Sequence, residues 1–189
     1  MKPEYEIMEF TRAADWRTWL ASHRTNTDGV WIRIFKKASN KPTVTYAEAL
    51  DDALCYGWID GQRKSYDEES FIQKYTPRRS KSMWSKRNIE HVTRLISTGL
   101  MMPAGYAEIE RAKSDGRWDM AYDAQTNMVI PDDFLMAVRK NQTTLAFYET
   151  LNKTDLFRIG FGLQTAKKPE TRARRFEAFL SKLERGEKP

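Results

Sequence analysis

The sequence predicts an α+β fold, a small antiparallel sheet with N-terminal helices followed by a helical C-terminal lobe. Three features carry that expectation. β-Branched and aromatic runs at Val30–Phe35, 58–64 and 70–75 interrupt helical spacing in the first half of the chain. From Ser85 onward, apolar residues recur at helical spacing. Residues 119–129 read as a linker, dividing the chain into an α+β domain at 1–118 and a helical lobe at 130–186.

Trp16, Trp19, Leu20 and His23 fall at i, i+3, i+4 and i+7 behind Thr11, which predicts a first helix with one apolar face and a threonine cap. Asp28-Gly29 turns the chain into the strand Val30–Phe35, where Val30, Ile32 and Ile34 share a face. Thr45 and Glu48 have capping-box spacing, and Tyr46, Ala49, Leu50, Ala53 and Leu54 continue a helix that Gly57 stops. Residues 58–64 and 70–75 then form two strands around the polar turn 67–69. In the helical half, Ile89, Val92, Leu95 and Ile96 run to a stop at Gly99. Pro103 and Pro131 each open a helix, and Asn141 caps another. Pro169 starts a last helix with the stripe Ala173, Phe176, Phe179, Leu180 and Leu183, ending before Gly186.

With 189 residues, 40% hydrophobic and 12% aromatic, the chain is long and apolar enough to bury a substantial core. Its net charge of +6 favours acidic partners, but 26 acidic residues offset the 32 basic ones and keep the excess mild. A single cysteine, Cys55, makes no internal disulfide, and the N-terminus lacks an apolar run of signal-peptide type. A soluble cytoplasmic protein is therefore expected. Nothing approaches the roughly 18 consecutive apolar residues that membrane insertion as a helix needs.

Chemistry concentrates between Cys55 and Asn88. Lys74, Arg78, Arg79, Lys81, Lys86 and Arg87 follow one another without an acidic residue from Gln73 to Asn88, interleaved with Tyr75 and Trp84. Cations just before a helix suit an oxyanion, because the helix's first amides and its dipole add to the guanidinium forks of Arg78 and Arg79 and the ammonium of Lys86. Ser82 and Ser85 either cap that helix or donate to the anion. Gly57 and Gly61 flank Trp58 and Asp60, an arrangement that serves a pocket wall or, equally, a helix stop and a bulge. Asp60 is the best acid and is expected to orient a cation such as Arg63. The candidate ligand-binding set is thus Trp58, Asp60, Arg63, Arg78, Arg79, Ser82, Trp84, Ser85 and Lys86. A second basic cluster, Lys167, Lys168, Arg172, Arg174 and Arg175, reads either as part of a binding surface or as a mixed helix surface beside Glu170 and Glu177. Cys55 reads as core packing. His23 and His91 have no ligand-spaced companions, so no metal is expected. Gly-x-x-x-x-Gly-Lys-Ser/Thr, Gly-x-Gly-x-x-Gly and Gly-x-Ser-x-Gly are absent, so neither a cofactor nor a catalytic set is legible.

Three blocks together resemble the bacterial YdeI/OmpD-associated family: Val44-Thr-Tyr-Ala-Glu-Ala-Leu50 with Cys55-Tyr-Gly-Trp-Ile-Asp-Gly-Gln-Arg63, then Tyr75-Thr-Pro-Arg-Arg79 with Trp84-Ser85, and Thr165-Ala-Lys-Lys-Pro-Glu-Thr-Arg172. The resemblance implies a soluble bacterial protein linked to stress or antimicrobial tolerance, and it transfers no catalytic residue. Together with the basic aromatic block it leads to the expectation of a small-ligand protein with an oxyanion pocket. The alternatives are a non-specific nucleic-acid binder that stacks bases on Tyr75 or Trp84, and a protein-interaction module.

Overall fold

A computed structural model of the chain describes residues 6–23, 28–123 and 128–189. The elements in order are β1 (Ile7–Glu9), α1 (Ala13–Ser22), β2 (Val30–Phe35), α2 (Tyr46–Cys55), β3 (Trp58–Ser65), β4 (Ser70–Pro77), α3 (Lys86–Ser97), α4 (Pro103–Ser114), α5 (Asp132–Arg139), α6 (Gln142–Glu149), α7 (Lys153–Gln164) and α8 (Pro169–Glu184). One compact unit runs through Ser82 and takes in Glu90–Asp115; the other comprises Met83–Ile89 and Gly116–Pro189. Of the linker expected at 119–129, residues 124–127 lie outside the described residues.

The sheet of the first unit has the order β1-β2-β4-β3. β2, β4 and β3 form the expected antiparallel array, and β1 adds a parallel edge strand by pairing Ile7 with Trp31 and Glu9 with Arg33. Three residues are too few to show alternation, which is why this strand is invisible in the sequence. Along β2, Val30, Ile32 and Ile34 oppose Tyr75, Gln73 and Phe71 of β4, so these six share one face. Trp16 of α1 covers that face. Its ring lies 5.5 Å from Tyr75 and 6.4 Å from Trp58, and its indole N–H donates to the carbonyl of Ala49 in α2 at 3.0 Å. Arg12, paired with Asp15, occupies the N-cap of α1 in place of the expected Thr11. The helix starts one turn position later than a threonine cap requires.

α2 carries the capping box as read: Glu48 N–H donates to Thr45 Oγ1, and Thr45 N–H donates to the Glu48 carboxylate. The Thr45 hydroxyl, donating to the Glu48 carboxylate at 2.7 Å, and then the Thr45 amide hold the Glu48 carboxyl below its ordinary range. Gly57, at φ 76°, ends the helix in the left-handed region. On its outer side Asp51 accepts from His91 at 2.7 Å and from Arg94 at 2.6 Å, and Asp52 accepts from Arg17 at 2.6 Å. His91 thus serves an ion-pair network joining helices. Cys55 is fully buried in the α2 core, and burial pushes its thiol up.

The second unit centres on Ile130, Phe134, Val138, Leu151, Ile159, Leu163 and Leu183, with Phe176, Phe179 and Leu180 packed against them. Asn141 and Asn152 cap α6 and α7, each accepting from two amides. α7 is absent from the sequence reading because Gly160 and Gly162 weaken its helical pattern. Packing explains them: a Cβ on Gly162 would stand 2.7 Å from the Phe179 ring of α8.

Candidate functional site

The nine sequence-predicted residues fall in both units. In the first, Trp58 is buried against Trp16 and Trp19. Arg78 is buried as well, its amide donating to the Gly57 carbonyl at 2.9 Å. Arg79 is exposed, and its amide donates to Ser82 Oγ at 3.0 Å, so Ser82 caps a turn. In the second unit, Trp84 is buried beside Trp118 with ring centroids 5.1 Å apart. Ser85 caps α3 by accepting the Asn88 amide at 3.1 Å, and Lys86 pairs with Asp123 at 2.8 Å. Tyr75 and Trp84, offered above for base stacking, are 0% and 1% exposed and present no face to a base. In the second basic cluster, Arg172 pairs with Asp133 at 2.8 Å and Arg175 donates to the Gly162 carbonyl at 2.8 Å.

Asp60 and Arg63 show how the β3 backbone builds a site. Side chains alternate along a strand, so residues three apart point to opposite faces. A register shift between Asp60 and Arg63 cancels that: Asp60 opposes Tyr75 and Arg63 opposes Gln73, and these two partners lie on one face of β4. Gln73, 2% exposed, holds the bulge by donating its amide N–H to the carbonyls of Gly61 at 3.0 Å and Gln62 at 3.2 Å. The expected pairing of Asp60 with a cation is corrected here. Asp60 accepts a hydrogen bond from the Tyr46 phenol at 2.7 Å, while the central carbon of the Arg63 guanidinium lies over Phe71, 3.6 Å from the ring centroid.

Arg63 and Phe71 are one wall of a cleft of about 900 Å³ in the first unit. Ile34 and Phe35 end β2 there, Thr45 and Tyr46 begin α2 there, and the intervening loop brings Lys36, Lys37 and Lys41. The loop is strapped to the β3–β4 turn: Lys36 donates through its amide to the Glu69 carbonyl at 2.8 Å and through its ammonium to the Glu68 carbonyl at 2.8 Å, and Lys41 pairs with Glu69 at 2.6 Å. Asn40 closes the single 3-10 turn Lys37–Ser39 at φ 56°, a conformation asparagine tolerates. Among the described residues, four cations and no carboxylate line the cleft. Among the described residues neither Arg63 nor Lys37 meets an acidic partner. Of the nine predicted residues, Arg63 lines this cleft and Asp60 stands behind Tyr46. Sequence reasoning missed Phe35, Lys36, Lys37, Lys41 and Tyr46, which lie within one short stretch, and Phe71, which joins them only through the pairing of β2 with β4; the lysine-rich stretch from Lys36 to Lys41 was the available signal.

Residues 8–108, which contain the whole cleft, match a family model described as a domain of unknown function (DUF8412). The chain belongs to the DUF8412 family. Residues 127–186 match a second model, described as Bacteriocin-protection, YdeI or OmpD-Associated. The blocks at 44–63 and 75–85 that resembled the latter family therefore lie in the DUF8412 region, and the block at 165–172 lies in the YdeI/OmpD-associated one. No curated protein and no solved structure matches the chain.

Proposed function

We propose that this DUF8412 protein is a small-ligand binding protein whose cleft between β2, α2 and the β3–β4 wall takes an organic anion with a flat apolar body. The observation that carries the reading is the Arg63 guanidinium, held over Phe71 at 3.6 Å in the lining of a cleft that, among the described residues, has four cations and no carboxylate. A guanidinium beside an aromatic ring can both stack with a flat ligand and offer the fork geometry that matches a carboxylate or phosphate. Lys37 supplies a second, unconstrained charge. Phe35, Phe71 and Tyr46 supply apolar area, so an aromatic anion gains from both and inorganic phosphate from charge alone.

The test is thermal stabilisation by phosphate, benzoate and phenyl phosphate in wild type and in Arg63→Gln/Lys37→Gln. A ligand at a hundredfold its Kd stabilises by about 2.7 kcal/mol. Phenyl phosphate should stabilise wild type more than phosphate does, and the double variant should lose most of the gain. Equal shifts in both proteins would overturn the reading. The bacteriocin-protection description of the 127–186 model supports extending the proposal to antimicrobial tolerance in a cytoplasmic bacterial setting, which bacteriocin susceptibility of a deletion strain checks.

A further inference from the structure

Of the four cations that line the cleft, Lys41 is the one that a carboxylate answers among the described residues: its ammonium meets Glu69 Oε2 at 2.6 Å. Lys36 instead donates to the Glu68 carbonyl, a neutral acceptor. The Lys41 ammonium also lies 5.2 Å from the ring centroid of Phe35, itself a lining residue, so the ion pair stands at the aromatic wall of the cleft. Its two side chains are 47% and 49% exposed, and an ion pair so well hydrated is weak. The β3–β4 turn does not depend on it. The Glu69 amide donates to Asp67 Oδ1 at 3.0 Å and the Glu69 carbonyl accepts the Lys36 amide at 2.8 Å, so the residue is held through its backbone whatever its carboxylate does. An ammonium on the flexible lysine stem can therefore exchange Glu69 for another acid at little cost.

Resting on the binding reading above, we infer that the cleft selects aromatic acids with two negative charges, the first received by Arg63 and Lys37 and the second by Lys41, from which it displaces Glu69. Lys41 is the specificity-determining residue, and Glu69 is an internal competitor for it. A monoanion satisfied by Arg63 and Lys37 leaves the Lys41–Glu69 pair as it is and gains nothing from it. A dianion exchanges an exposed ion pair for one that the bound ring shields from water, where the same charges attract more strongly.

Calorimetric titration of benzoate against phthalate, isophthalate and terephthalate at about pH 8, where every carboxyl is ionised, tests it; the three isomers offer the second charge at three spacings. Wild type should bind the best isomer roughly three- to tenfold more tightly than benzoate. Glu69→Gln releases Lys41 and should raise the affinity for that isomer by roughly a further two- to fivefold, the worth of an exposed ion pair, while benzoate gains less. Glu68→Gln removes the same charge one residue away, where among the described residues the side chain meets no cation, and should leave the affinity near that of wild type. Lys41→Gln should lose most of the preference, and Glu69→Gln added to it should restore none of it. Circular dichroism confirms that each variant is folded. A wild-type ratio near one overturns this inference while leaving the cleft itself intact, and so does a Glu69→Gln gain that is absent, matched by Glu68→Gln or preserved in the Lys41→Gln background. Failure of every probe, phenyl phosphate included, to saturate wild type overturns both readings.

Discussion

Replacing Gln73 by methionine asks whether the β3 bulge is what places Arg63 in the cleft. Methionine keeps nearly the same volume in a site 2% exposed but removes the amide that donates to Gly61 and Gln62 at 3.0 and 3.2 Å. Two neutral hydrogen bonds contribute about 0.5–1.5 kcal/mol each. Gly61 and Gln62 are themselves exposed, so their carbonyls can recover water, and the loss should sit near the low end, about 1–2 kcal/mol in total. For a chain of this size that corresponds to a fall of about 2–8 °C in Tm. The functional consequence is larger. Without its amide clamp the strand can revert to regular alternation, which turns Arg63 to the opposite face and removes the guanidinium from Phe71. Phenyl phosphate affinity, measured by calorimetry, should then fall about as far as in Arg63→Gln. A Gln73→Met protein that melts lower yet binds phenyl phosphate like wild type would refute the idea that the bulge positions the site.

Other outcomes follow from the same framework. Gly105→Ala should destabilise by about 1–3 kcal/mol or more, because its Cβ would stand 2.5 Å from the Cys55 carbonyl and 2.7 Å from that of Leu54; Gly61→Ala, whose Cβ meets nothing closer than 3.6 Å, should lie within about 0.5 kcal/mol of wild type, both read from urea midpoints. Glu48 has its folded pKa lowered by the Thr45 bonds, so its contribution is present above the unfolded value of about 4.3 and is lost as pH falls through the folded value; Glu48→Gln should flatten the stability profile in that acid window alone. Asn152→Ala removes the acceptor of two α7 amides and should cost about 1 kcal/mol by thermal melting, with phenyl phosphate affinity unaltered because the cleft lies in the other unit.

Much of the fold was legible because it rests on local chemistry. The Thr45–Glu48 box, the stop at Gly57, the prolines at 103 and 169 and the Asn141 cap each mark an element boundary through one or two side chains that satisfy or withhold backbone groups. β1 and α7 were not legible. A three-residue strand has no period, and the glycines of α7 look like breakers until Phe179 is seen packed against Gly162. The candidate site was harder, because charge in sequence does not reveal partners. Lys86 stands in the densest cationic run yet is answered by Asp123, whereas Arg63 and Lys37, less conspicuous, face a cleft without a carboxylate. The bulge that brings Arg63 to the Asp60 face depends on pairing with β4, and Gly61 alone only hinted at it.

The most direct measurement is an amide-resolved NMR titration of the isotope-labelled protein with phenyl phosphate. Saturable shifts centred on Phe35, Lys37, Thr45, Tyr46, Arg63 and Phe71 are the predicted result, and shifts centred on residues 78–87 with these unmoved would contradict it.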